Sequence, residues 1–170
     1  MTVDVTNAQR AYPVAVAEVA RLARCAIRRL RIRTPGQLAI AFVNPQRMRS
    51  LNRQFMGHDR TTDVLAFRYD GEPIVGEVLI APSAARRYAR EHRLDYAQEV
   101  SRYVIHGILH WLGHEDRTAT QRAKMRKMED RLLTQCAIQL RAPGSGLRVR
   151  ALRAHSAVAP SPEPRTPSRF

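Results

Sequence analysis

The chain has 170 residues, 44% of them hydrophobic and 6% aromatic, which fits one globular domain with a buried core and an extension. Lys and Arg total 29 against 15 Asp and Glu, a net charge of 29 − 15 = +14 with a pI near 11.3; such a molecule is drawn to polyanions, nucleic acid first and an anionic membrane surface second. No apolar run reaches the roughly 18 residues of a spanning helix and the N-terminus has no charged-then-apolar leader pattern, so the chain reads as cytoplasmic, reduced and not membrane-bound.

In chain order, Val3 and Val5 alternate with Asp4 and Thr6, a short strand signal. From Pro13, a residue suited to a first helical turn, Val16, Val19, Ala20, Ala23, Ile27 and Leu30 fall at helical spacing. Thr34-Pro-Gly36 breaks that helix, and residues 37–43 (QLAIAFV) read as a buried strand. Asn44 and Pro45 open a short helix with Met48, Leu51 and Phe55 on one face. A polar loop from Gly57 leads to strand-like residues 62–69, a turn at Asp70-Gly71, and a fourth strand at 76–81.

A helix over about 83–92 follows, and Asp95 with Gln98 forms a capping-box arrangement that starts the next one. Thr118 or Thr120 opens a last helix carrying Met125, Met128, Leu132, Cys136 and Leu140. Cys25 and Cys136 both sit in helical apolar patterns and read as small, unpaired core residues. Residues 141–170 hold five of the ten prolines, six arginines and one acid, Glu163. They read as a disordered basic tail, leaving 1–140 as the folded domain.

The densest chemistry lies in His106-Gly-Ile-Leu-His-Trp-Leu-Gly-His-Glu-Asp116. On a helix His110 lies about 40° round from His106 and one turn along, so both imidazoles leave one face. Val100, Val104, Ile105, Ile108, Trp111 and Leu112 form the apolar stripe on the opposite side. Gly113 stands where a left-handed residue ends a helix, so a third ligand is expected just beyond it. Asp116, three residues past the glycine as in metzincins, is the better placed; His114 is the alternative. Two histidines, one further ligand and an open position are the plan of a catalytic Zn²⁺ site holding one ion. Gly107 replaces the glutamate of H-E-x-x-H, so the general base of those metallopeptidases is missing.

Here the chain resembles the YbeY family, bacterial rRNA maturation factors described as zinc-dependent single-strand endoribonucleases. His106-Gly-Ile-Leu-His-Trp-Leu-Gly113 is similar to that family's H-G-x-L-H-L-x-G signature. Leu51-Asn52 and the run from Gly57 to Phe67 resemble its L-N-x-x-[YF]-x-x-x-D-x-x-T-D-V-L-[ST]-F segment, and Gly76-Glu77-Val-Leu-Ile its G-D/E strand. The likeness covers roughly residues 3–140. Two positions depart from the commonest pattern: Asp116 stands where a third histidine is usual, with His114 in place of a tyrosine, and Met56 stands where many members carry an arginine thought to help in catalysis. Arg53 or Arg60 is then the candidate cation facing phosphate.

The expected fold is α+β: a small mixed sheet of about four strands covered by helices, with the metal-binding helix central. The expected function is single-strand RNA cleavage in rRNA maturation, near the 3′ end of the small-subunit rRNA, with the small ribosomal subunit as partner. His106, His110 and Asp116 would act through the metal, and Asn52, His58, Asp59, Thr62 and Asp63 would line the cleft. Without the resemblance, Asp63 and Thr62 read first as strand-start or turn residues held by backbone hydrogen bonds. Glu99 shares the face of His106 but lies two turns, roughly 10 Å, away and is too far to join the same ion. The rival readings are a ribosome-bound factor using zinc only structurally and, less favoured, a metal-dependent hydrolase of peptides or small molecules.

Overall fold

The computed structural model describes residues 1–69 and 73–136. The expected turn at Asp70-Gly71, the basic tail and the last helix beyond Cys136 lie outside the described residues. The elements are β1 (Thr2–Asn7), α1 (Val16–Arg29), β2 (Gln37–Phe42), α2 (Pro45–Met56), β3 (Val64–Arg68), β4 (Ile74–Ile80), α3 (Pro82–His92), α4 (Tyr96–Trp111) and α5 (Ala119–Cys136). This is the expected α+β class, with four strands and five helices among the described residues.

The strands order as β1-β2-β4-β3. β1 pairs parallel with β2 and β2 parallel with β4, while β3 and β4 are antiparallel neighbours. Parallel pairing needs a long crossover, and α1 supplies the first one. Alternation then decides which side chains go inside. Leu38, Ile40 and Phe42 of β2 and Val78 and Ile80 of β4 are buried with Val19, Leu22 and Ala26 of α1 and Val104, Ile105 and Ile108 of α4. The opposite face packs Leu65 and Leu79 against Met48 and Leu51 of α2.

Local chemistry sets the helix ends. The Asn44 side chain accepts a hydrogen bond from Arg47 N at 2.8 Å, and the Asp95 side chain accepts one from Gln98 N at 2.9 Å. Thr118 and Gln121 exchange hydrogen bonds at 2.9 and 3.2 Å, a reciprocal cap that opens α5. The first helix begins at Val16 rather than Pro13. Gln9, buried in the preceding loop, donates to Tyr12 O and accepts from Tyr12 N, while Tyr96 Oη donates to Pro13 O at 3.1 Å. Those bonds hold Tyr12 and Pro13 in a loop that ties β1 to the start of α4.

The cysteines require a correction. Cys25 of α1 and Cys136 at the end of α5 are joined in a disulfide, not left as two reduced core thiols. Cys25 is half-buried on α1 and Cys136 is buried at the end of α5. What the sequence hides, across 111 residues, is that the two stripes meet.

α4 is the central helix. It packs on β3 and β4 on one side and against α5 and α1 on others. Gly107 makes the sheet contact possible: a Cβ there would run into Val78 and lie 3.0 Å from Val64 Cγ1. No helix of the described residues is long and apolar enough to cross a membrane.

Candidate metal centre

His106 and His110 leave the face of α4 that the sheet does not cover, one turn apart. Their Nε2 atoms approach to 3.0 Å with the rings at 87° to one another. Gly113, at φ +87°, ends the helix in the left-handed region, and His114 N donates to Leu109 O at 3.0 Å. The chain turned in this way brings Asp116 back over the histidines. Its Oδ2 lies 3.8 Å from His106 Nε2 and its Oδ1 3.8 Å from His110 Nε2.

One donor atom from each of His106, His110 and Asp116 lies within 4.8 Å of the others, and this is the only such group among the described residues. Two imidazole nitrogens and a carboxylate oxygen converging on one point fit a first-row divalent ion such as zinc. His114 is not in the group. It lies instead along a neighbouring cavity with Gly113, Glu115 and residues of α5.

Sequence reasoning missed Glu129. This α5 residue is only 6% exposed, and its Oε1 lies 2.8 Å from His106 Nδ1. Arg102, one turn before His106, donates to Glu129 Oε2 at 2.9 Å and pairs with Asp130 at 2.8 Å. Met125, Glu129, Leu132 and Cys136 are the buried line of α5. An acid at spacing four, three and four within an apolar stripe is the signal that would have found it. The apolar spacing alone points to Met128 at that turn, and Met128 is half-buried.

These neighbours set the electrostatics. Burial alone would lower the His106 pKa, but the hydrogen bond and charge of Glu129, with Asp63 and Asp116, outweigh it and raise it. His110 is held below the ordinary histidine value by burial and by the neighbouring His106, against the opposing pull of Asp116 and Asp63. Glu129 is buried too, yet its bonds to His106 and Arg102 keep its pKa below the usual range. Glu99, 4% exposed, is pushed up to about 7 by burial. It stands outside the donor group, as its helical distance predicts.

The segment before β3 divides into two roles. Asn52, 4% exposed, donates from Nδ2 to Arg60 O at 2.8 Å and so braces the loop from within. Asp59 is exposed and takes a two-pronged bond from Arg49 at 2.8 and 2.7 Å. His58 is half-buried, and its carbonyl accepts from Arg60 N. Thr62 Oγ1 and Val64 N both donate to Asp63 Oδ1 at 3.0 Å, so Asp63 is indeed a strand-start residue. Its charge nevertheless registers at both His106 and His110. Arg53 is exposed on the last turn of α2 and Arg60 half-buried in the loop.

The fold is a mixed sheet whose central helix carries a candidate His-His-Asp metal site. The model of a family described as Endoribonuclease YbeY matches residues 4–137, and the chain belongs to that family. An Endoribonuclease YbeY of Thermodesulfovibrio yellowstonii is 31% identical over 153 residues, covering 79% of this chain and 96% of the relative. One from Chlamydia felis is 31% identical over 140 residues, covering 77% and 88%. The fold is similar to the solution structure of a Thermotoga maritima protein, with a TM-score of 0.55 at 23% identity, over 86% of this chain and 100% of that one.

Proposed function

We propose that the chain is a zinc-dependent, single-strand-specific endoribonuclease acting in rRNA maturation, near the 3′ end of the small-subunit rRNA. Its place of action is the cytoplasm and its partner the small ribosomal subunit. The observation that carries this reading is the convergence of His106 Nε2, His110 Nε2 and an Asp116 oxygen, with Glu129 behind His106. Zinc bound there would supply Lewis-acid chemistry toward a phosphodiester. Glu129, by accepting the Nδ1 proton of His106, leaves Nε2 with its lone pair directed at the ion.

Arg53 and Arg60 are the candidate cations toward the RNA backbone in the absence of an arginine at Met56. Asn52, His58, Asp59, Thr62 and Asp63 form the cleft segment, with Asn52 bracing it from inside. The arginines of residues 141–170 would add salt-sensitive affinity for phosphates. Gly107 supports RNA over peptide as substrate. A glutamate at that position would be driven into Val78, so the H-E-x-x-H arrangement cannot form on this helix.

The test is cleavage of a single-stranded rRNA fragment by wild type and His110→Ala, with zinc measured in both. Cleavage by wild type alone, with zinc lost from the variant, is the expected result. Equal cleavage by both would overturn the reading. A zinc-replete wild type that binds RNA without cutting it would favour a non-catalytic rRNA-binding factor.

A further inference from the structure

The Gly113–Asp116 loop that delivers the aspartate to the cluster also walls a cavity of about 320 Å³. His114 and Glu115 come from the loop, and Gln121, Lys124, Met125 and Met128 from α5. Its volume is at the lower end of the roughly 300–1,000 Å³ of small-molecule sites. One nucleoside fits such a space and a base-paired duplex does not.

The lining has the chemistry for a nucleobase. The half-buried His114 supplies a planar ring, and the half-buried Met128 thioether, with the buried Met125 beneath it, supplies an apolar, polarizable surface suited to an aromatic face. Gln121 is anchored through its carbonyl oxygen, which accepts from Thr118 N at 2.9 Å, so its amide nitrogen can donate to a base edge. Glu115 is compensated by Arg117 at 3.1 Å, which leaves the exposed Lys124 to set the local charge as positive. A planar, hydrogen-bonding, anionic guest two residues along the chain from Asp116 answers all of these features.

We infer that this cavity is the subsite for an unpaired nucleotide flanking the cleaved bond, its base stacked on His114 over Met128 and its phosphate toward Lys124. The inference rests on the RNA-cleavage reading and deepens it. It gives single-strand specificity a physical cause, because only a base freed from pairing can enter and stack. It also gives His114 a task distinct from holding metal.

The experiment is binding of a fluorescent single-stranded oligoribonucleotide to chelator-treated protein, read by anisotropy, for wild type, His114→Ala, His114→Phe and Lys124→Ala. Steady-state cleavage and zinc content are measured alongside on the zinc-loaded proteins. His114→Ala is expected to weaken binding about tenfold, as loss of one base–aromatic stack does, and to raise KM while keeping its zinc. His114→Phe should bind as wild type does, and Lys124→Ala should bind more weakly with a shallower salt dependence. Unchanged binding in His114→Ala, or zinc loss in that variant, would overturn the inference. Absence of cleavage in zinc-loaded wild type would instead count against the endonuclease reading, while the binding series still reads the cavity.

Discussion

Glu129 Oε1 lies 2.8 Å from Nδ1 of His106, on the side of the ring away from His110 and Asp116. A ligating imidazole has two nitrogens, and the partner of one decides what the other offers. A buried carboxylate at Nδ1 keeps a proton there and turns the Nε2 lone pair toward the donor group. Arg102 then neutralises the carboxylate at 2.9 Å, so the acid stays ionised inside the protein.

Replacing Glu129 should therefore cost metal before it costs fold. Glu129→Gln keeps the shape and a hydrogen bond but loses the charge, and zinc affinity is expected to fall about 10- to 100-fold, the usual effect of removing such a support. Competition with a zinc chelator measures this directly. Unchanged affinity would mean that the His106 ring is held by packing alone.

Glu99 should make stability depend on pH. Its folded pKa of about 7 lies above its ordinary value of 4.5. Between those limits the folded state binds more protons than the unfolded one, so stability falls as pH rises from about 4.5 to about 7. Glu99→Gln removes that penalty and should stabilise the protein by on the order of 2–3 kcal/mol at pH 8, with little change at pH 4. Urea denaturation at the two pH values reads the difference, and parallel shifts at both would contradict it.

The Cys25–Cys136 disulfide should add a covalent tie to the packing and ion pairs that hold α5. Met125, Glu129, Leu132 and Cys136 are its buried residues. Closing a loop of 111 residues is expected to stabilise the fold by about 4–5 kcal/mol on the chain-entropy account. The denaturation midpoint should drop on adding dithiothreitol to wild type and stay put in Cys25→Ser. Equal midpoints with and without reductant in wild type would show that packing, not the bond, secures α5.

Gly107→Ala tests the seat of α4 on the sheet. The added methyl meets Val78 and Val64, and overpacking of this kind costs about 1–3 kcal/mol. An alanine gain in helix propensity works the other way by about 1 kcal/mol, so the steric term should win. A variant more stable than wild type would show that the helix can lift without loss.

Much of this was legible in the sequence because it depends on local rules. Helical spacing put His106 and His110 on one face, a glycine stop announced the turn to Asp116, and caps at Asn44 and Asp95 gave two helix starts. Glu129 and the disulfide were not legible, since each depends on α5 docking against a helix distant in the chain. The start of α1 was set too early for a similar reason: Pro13 suits a first turn, but its carbonyl is bound by Tyr96, a residue 83 positions away. By composition His114 reads as a rival ligand, yet past the left-handed Gly113 it is Asp116 that joins the two histidines.

The most direct measurement is zinc titration of chelator-stripped protein during cleavage of single-stranded RNA, with His110→Ala in parallel. Cleavage by wild type should rise with added zinc and level off at one ion per chain, while His110→Ala stays inactive at the same additions. Full cleavage by stripped wild type, or recovery of His110→Ala at one equivalent, would contradict a metal-dependent nuclease built on His106, His110 and Asp116.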